Sequence, residues 1–160
     1  MILRIDHVGM VAADLKAAAT GLRMLTMNPD EHDIVTTYDV ECQFWRREGD
    51  PTAIEIVTPA GPSSQVTGHL RRSGPGLHHV AFEVDDIVAE LAVLRARGAV
   101  LVDDEPRPGG QPGLQIAFVH LGPATGLLVE LVQYAEPRVR PVADVPRQRA
   151  AAGGWALDVR

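Results

Sequence analysis

The chain repeats itself once, and that repeat restricts the fold more than any other feature of the sequence. Asp6-His7-Val8-Gly9-Met10-Val11-Ala12-Ala13-Asp14-Leu15 matches His78-His79-Val80-Ala81-Phe82-Glu83-Val84-Asp85-Asp86-Ile87 at an offset of 72 residues. Each stretch opens with a polar residue, a His and a Val, then runs as a short strand into an Asp followed by an aliphatic residue. Further along, Ile54-Glu55-Ile56-Val57 matches Val129-Glu130-Leu131-Val132 at an offset of 75, each an apolar strand broken by one glutamate. Two matches at nearly one offset define two copies of a single module, about 5–58 and 77–134.

The local signals agree between the copies. Asp14 is placed to cap a helix from Leu15 to about Leu25, and Asp85 or Asp86 to cap a second from Ile87 to Arg97. In the second helix Ile87, Leu91 and Leu94 share one apolar face, and Gly98 follows its end. Strands are predicted at Ile34 to Tyr38, Val40 to Arg46 and Thr52 to Thr58 in the first copy. In the second they are predicted at Val100 to Asp103, Leu114 to His120 and Gly126 to Tyr134. Glu48-Gly49-Asp50-Pro51 reads as a hairpin turn. Each copy is thus strand-helix-strand-strand-strand, and the Gly/Pro/Ser-rich residues 59–76 link them. One domain is expected over 1–135, with a tail at 136–160, rich in Pro, Arg and Ala around a lone Trp155, to which no role is assigned.

Charge and composition narrow the class of partner. With 46% hydrophobic and 22% charged residues the chain can bury a core, which excludes a disordered reading. A net charge of -6 argues against nucleic acid or an anionic membrane as partner. No apolar run approaches the roughly 20 residues that span a bilayer, and the N-terminus reads as a strand, not a signal peptide. The single cysteine, Cys42, excludes an internal disulfide and a cysteine-based zinc finger. A cytoplasmic protein is expected. Of the basic residues 14 are Arg and one is Lys, Lys16, so phosphate contacts would fall mostly to arginine.

Within a strand, side chains alternate between faces. If Ile54 and Ile56 pack on the helix, Glu55 points to the other face; the same argument isolates Glu130 between Val129 and Leu131. His7 and His79 sit likewise beside Val8, Val80 and Phe82. One strand histidine is usually a satisfied structural residue and one strand glutamate is usually solvated. Here each copy carries both at matching positions, and two modules paired about a pseudo-twofold axis would bring all four to one concave surface. Two histidines and two glutamates suit a divalent first-row metal ion, Co, Ni, Mn, Fe or Zn. His78, the neighbour of His79, should face the opposite way and act in packing or behind the ligand. His32, His69 and His120 have no counterpart and read as structural or exposed. The fold class is α+β: two paired βαβββ modules forming a cupped mixed sheet around a metal site.

Three stretches resemble the vicinal oxygen chelate (glyoxalase, bleomycin resistance and dioxygenase) superfamily, and within it the methylmalonyl-CoA epimerase-like members. They are Ile5-Asp6-His7-Val8-Gly9, the specific run from Gly76 to Ile87, and Gly126-Leu127-Leu128-Val129-Glu130-Leu131-Val132. Asp104-Glu105-Pro106-Arg107 and the Gly-rich loop after it also look like that branch. Carried over residue by residue, the resemblance implies metal ligands at His7, Glu55, His79 and Glu130, the four that the repeat isolates. It implies an epimerase or isomerase that abstracts a proton next to a metal-bound carbonyl, with Glu130 as the base and an acyl-thioester or other small carbonyl compound as substrate. A homodimer is implied too.

The same branch carries a second acid/base on the strand before the Glu55 strand, here Val40 to Arg46. Alternation puts Val40, Cys42 and Phe44 on one face and Glu41, Gln43 and Trp45 on the other. The second set is polar enough to line a cavity, which makes Glu41 the candidate; a slip of one residue would put Cys42 there. Where the branch has a His-Pro-Lys-like turn, this chain has His120-Leu121-Gly122-Pro123. A glyoxalase I-like lyase, a cyclisation or rearrangement enzyme, and a metal-free binder of small molecules, with Phe44 and Trp45 as its aromatic wall, are the competing readings.

Overall fold

The structure, a computed structural model, describes residues 1–138; the rest of the expected 136–160 tail lies outside the described residues. The first module contains β1 (Ile2–Val11), α1 (Leu15–Arg23), β2 (Asn28–Val35), β3 (Val40–Arg46) and β4 (Ala53–Pro59). A short helix follows, α2 (Thr67–Ser73). The second module contains β5 (Gly76–Val84), α3 (Ile87–Ala96), β6 (Val100–Leu101), β7 (Arg107–Pro108), β8 (Gln115–His120) and β9 (Leu128–Gln133).

The caps act as the sequence indicates. Asp14 accepts from the Ala17 N–H at 2.8 Å, and Asp86, not Asp85, accepts from the Ala89 N–H at 2.9 Å. The first helix ends two residues early, because Met24, Leu25 and Thr26 turn back on Gly21, Leu22 and Arg23 and Thr26 takes a φ of 57°. Gly98, with φ 87°, closes the second helix as expected.

All strands join one mixed sheet in the order β2-β3-β4-β1-β5-β9-β8-β6, with β7 beside β8. The order reads the same outward from its centre, where β1 and β5 run antiparallel. On one side β1 pairs with β4 in parallel, on the other β5 pairs with β9 in parallel. The two modules are therefore related by a pseudo-twofold axis between β1 and β5.

Apolar residues divide by face. Ala19 and Leu22 of α1 pack with Trp45 and Ile56 on the outer face of module one. Ile87 and Leu91 of α3 pack with Val119, Val129 and Leu131 on the outer face of module two. A third cluster, including Val11, Val40, Phe44, Val57, Ile116 and Val132, lines the concave side.

Besides the shortened α1, β6 stops at Leu101 and an unexpected β7 follows it, and two further differences bear on the cavity. The strand predicted at Ile34 to Tyr38 runs instead over Asn28–Val35, and Tyr38 lies in the turn that follows. Its sequence, NPDEHDIV, lacks strand-forming residues at its start, and Pro29 is tolerated because β2 is an edge strand. The linker is also more than a connection: α2 lies within it, and Val66 and Leu70 pack into the concave core.

Candidate functional site

The site follows from cross-strand register. Residues directly opposite in a sheet share a face. Phe44 pairs with Glu55, Glu55 with Gly9, and Gly9 with His79, forming one row across the concave side. His7 pairs with Ala81, Ala81 with Glu130, and Glu130 with Phe118, forming a second. Each row contains an aromatic residue, a glutamate, a small residue and a histidine, and the axis between β1 and β5 exchanges the rows. The small residues let the rings cross: a Cβ added at Gly9 would overlap the His79 imidazole. Phe44 meets the His7 ring edge-on at 5.2 Å, and Phe118 meets His79 likewise at 5.4 Å.

His7, Glu55, His79 and Glu130 are brought together by this geometry, all buried, with one potential ligand atom from each lying within 4.8 Å of the others. Glu130 Oε2 stands 3.1 Å from His7 Nε2 and 3.0 Å from His79 Nε2. Glu55 Oε2 stands 3.4 Å and 3.2 Å from the same nitrogens, yet it is buried without a partner at hydrogen-bonding geometry. A buried carboxylate oxygen left so is costly unless a cation meets it. Two imidazole nitrogens and two carboxylates converging on such an atom fit a divalent first-row ion.

The electrostatics match that arrangement. Burial opposes charge on His79, but its contact with Glu130 and the charges of Glu130 and Glu55 outweigh it and raise its pKa to about 9. Burial likewise disfavours charge on His7, while Glu55, Asp6 and Glu130 lift it well above its ordinary value. For Glu55 and Glu130, burial pushes toward the neutral form, and the two histidines override it and hold both below the usual carboxylate range.

Behind each histidine the backbone carries a bulge. Along β1 the pairing passes from Ile5↔Phe82 to His7↔Ala81, leaving Asp6 unpaired; along β5 it passes from Gly9↔His79 to Met10↔Leu77, leaving His78 unpaired. Each bulge supplies the next ring with a partner. His7 Nδ1 donates to Asp6 Oδ2 at 2.8 Å, and His79 Nδ1 lies 3.1 Å from His78 Nδ1. His78 therefore does not turn away as strict alternation requires; it lines the cavity beside His79. Burial first, then its histidine neighbours, lower its pKa to about 4. Asp6 also receives Arg4 and the Tyr134 hydroxyl.

Glu41 does not reach the site. The pairs Phe44↔Glu55 and Cys42↔Val57 put Cys42 and Phe44 on the concave face, so Glu41 and Trp45 point the other way. Glu41 is 38% exposed and forms a surface pair with His32 at 2.8 Å. Trp45 is fully buried among residues that pack with α1, so Phe44 and Trp45 cannot form one aromatic wall. Cys42 lines the cavity, its thiol pKa pushed up by burial and by Glu55. Of the other histidines, His69 stacks edge-on against His78 at 4.8 Å, and His120 Nδ1 accepts from the Gly122 N–H. Sequence reasoning missed Tyr38, Gln65 and Val66, which line the cavity from the β2–β3 turn and from the approach to α2.

Two cavities flank the cluster. One of about 190 Å³ is mostly apolar, with Val35, Val40, Val57, Val66, Ile116 and Phe118 in its wall and His79, Glu55 and Glu130 at one end. The other, about 30 Å³, touches His7, Glu55 and Glu130 and is edged by Glu31, Asp33 and Gln111.

A paired βαβββ sheet with two histidines and two glutamates at its concave centre defines a cup whose side chains could hold a metal ion beside an apolar cavity. The chain belongs to the glyoxalase/bleomycin resistance protein/dioxygenase superfamily, whose sequence model matches residues 6–118. An ethylmalonyl-CoA/methylmalonyl-CoA epimerase of Cereibacter sphaeroides is 35% identical over 140 residues, covering 83% of this chain and 99% of the relative. The mitochondrial methylmalonyl-CoA epimerase of Mus musculus is 31% identical, over 81% of this chain and 72% of its own. Among solved structures, methylmalonyl-CoA epimerase from Mycobacterium tuberculosis superposes with a TM-score of 0.76 at 30% identity, covering 84% of this chain and 90% of that one. A Streptomyces coelicolor methylmalonyl-CoA epimerase variant in complex with 2-nitronate-propionyl-CoA gives 0.75 at 29% identity, over 86% and 100%.

Proposed function

We propose that the domain, residues 1–135, is an epimerase that inverts the α-carbon of a 2-alkylmalonyl thioester, with one divalent ion held by His7, Glu55, His79 and Glu130. The convergence of those four side chains at one end of an apolar cavity carries the proposal, and the epimerases similar to this chain support it. Such an ion, when bound, supplies Lewis-acid polarisation of the substrate carbonyl and so acidifies the neighbouring C–H.

The protein's own groups do the remainder. Glu130 lines the cavity and presents a carboxylate that can take the α-proton and return it. Asp6 and His78 hold the outer nitrogens of His7 and His79, fixing which nitrogen each ring presents inward. Val35, Val57, Val66 and Ile116 exclude water and accommodate the α-alkyl group. Cys42, buried and unpaired, fits the reducing cytoplasm as its compartment. The edges at β2 and β6 leave backbone groups with which a second copy could form a homodimer.

The test is inversion of a single isomer of methylmalonyl-CoA or ethylmalonyl-CoA in D2O, followed by NMR, with the purified protein loaded in turn with Co, Ni, Mn, Fe and Zn ions. Inversion accompanied by α-deuteration is expected with at least one ion and should vanish in the His79→Ala variant. Absence of both with every ion overturns the reading.

A further inference from the structure

Inversion at carbon needs a proton carrier on each face of the planar intermediate, and the cluster accounts for one, Glu130. Among the described residues the remaining cavity wall contains no carboxylate: its other groups with a transferable proton are Tyr38, Cys42 and His78. Cys42 sits against Glu55, which raises its pKa together with burial. His78 Nδ1 is engaged by His79. Tyr38 alone is free of the cluster and has a hydrogen-bond partner that can take a proton and return it.

Tyr38 is locked in place. It is buried in the turn between β2 and β3, its N–H bonded to Val35 O and its carbonyl to the Gln65 N–H. Its ring meets Phe118 edge-on at 5.4 Å. Its hydroxyl crosses from module one to module two and donates to Asp103 Oδ2 at 2.8 Å. Asp103 is itself buried, accepts from the Phe118 N–H at 2.9 Å, and pairs with Arg107 at 2.7 Å through its other oxygen. A phenol and a carboxylate in series, ending at the half-exposed Arg107, make a path from the apolar cavity to the surface.

Resting on the epimerase reading, we propose that Tyr38 is the second proton carrier, with Asp103 behind it as proton store. Tyr38 enters the cavity from the β2–β3 turn and Glu130 from β9, so the two carriers occupy separate walls. In one direction Glu130 takes the α-proton, and the C–H electron pair passes into the carbonyl system. Tyr38 then gives its O–H proton to the other face of that carbon, re-forming a C–H bond, while its oxygen takes a proton from protonated Asp103. In the other direction Tyr38 takes the α-proton as its own moves to the Asp103 carboxylate, and protonated Glu130 supplies the replacement. One proton alternates between Glu130 and Asp103, and Tyr38 is neutral before and after each passage. Burial and the Asp103 carboxylate raise its pKa, in keeping with that neutral resting form.

The experiment compares the metal-loaded parent, Tyr38→Phe and Asp103→Asn with each isomer of the substrate in D2O, following inversion and α-deuteration separately. Phenylalanine keeps the ring packed on Phe118 and removes only the hydroxyl. Expected for Tyr38→Phe is a roughly 10²- to 10⁴-fold loss of inversion. The isomer whose α-hydrogen faces Glu130 should still exchange with retention of configuration, and metal content and melting temperature should stay near those of the parent. Asp103→Asn should show the same split, more weakly. Equal loss of inversion and exchange, or inversion at the parent rate, overturns the role of Tyr38. A parent that neither inverts nor exchanges either isomer overturns the epimerase reading itself, which the variants then do not address.

Discussion

Gly9→Ala tests whether the cluster depends on a glycine directly under one of its rings. An alanine methyl at position 9 would lie 2.5 Å from His79 Nδ1 and closer still to Cε1 and Nε2, where ordinary contact begins near 3.4 Å. The ring must therefore retreat by about 1 Å, or the β1–β5 pair must open. His79 Nε2 stands 3.0 Å from Glu130 Oε2 and 3.2 Å from Glu55 Oε2, and metal–ligand distances tolerate only about 0.2 Å. A displacement of that size should weaken metal binding at least as much as disturbing a ligand's support, about 10- to 100-fold, or roughly 1.4–2.8 kcal/mol. The assay is competition for metal against a chromophoric chelator, with a thermal melt to establish that the variant is folded. Gly21→Ala is the control: it lies in α1 with nothing within 4 Å of an added Cβ, and should leave metal affinity unchanged. A folded Gly9→Ala protein that binds metal within twofold of the parent would refute the claim that the Gly9–His79 contact sets the ligand position.

Three other outcomes are expected. Leu131→Ala removes a fully buried side chain from the α3 core and should cost about 2–5 kcal/mol in denaturant unfolding; a loss below 1 kcal/mol would mean that the core closes over the gap. Asp6→Asn should lower metal affinity about 10- to 100-fold by removing the carboxylate that holds His7 Nδ1, and unchanged affinity would count against that role. In protein stripped with a chelator, His79 titrates near 9 when folded against 6.5 in its unperturbed form. A raised folded-state pKa stabilises fully below about pH 6.5 and loses its contribution as pH rises through 9. The melting temperature of stripped protein should fall across that window and His79→Gln should flatten the fall; identical profiles for the two proteins would contradict the assignment.

The convergence of His7, Glu55, His79 and Glu130 was legible because the repeat supplied what one strand cannot. Alternation sorts side chains into two faces but does not say which face is concave, and a second copy with the same residues at the same positions does. The helices were legible through Asp14, Asp86 and Gly98, all local signals. Glu41 shows where locality ends. Its strand was placed correctly and its alternation was right, but the choice of face rests on the Phe44↔Glu55 pairing, a contact between strands. Polarity pointed the wrong way, because the concave side here is mostly apolar and Glu41 finds His32 at the surface. Helix α2 escaped for a different reason: it has seven residues, none buried, and no side-chain cap.

The bulges at Asp6 and His78 explain both the failure of alternation at position 78 and the way a nearly symmetric cup becomes one-sided. The twofold axis places the four cluster residues in equivalent rows, and the residue preceding each histidine is turned toward its ring nitrogen by the same backbone device. Their chemistry differs. Asp6 is a buried carboxylate tied to Arg4 and Tyr134, and His7 itself borders only the smaller cavity. His78 is a neutral ring in the wall of the large apolar cavity, which leaves the His79 side open to a ligand. The repeat thus supplies the four-residue cluster, while the difference at one bulge residue, Asp in one copy and His in the other, distinguishes the approach to the cluster from its anchored rear. Exchanging these two residues should therefore disturb ligand access and His7 anchoring together, whereas symmetry of the four ligands alone would predict no difference between the sides.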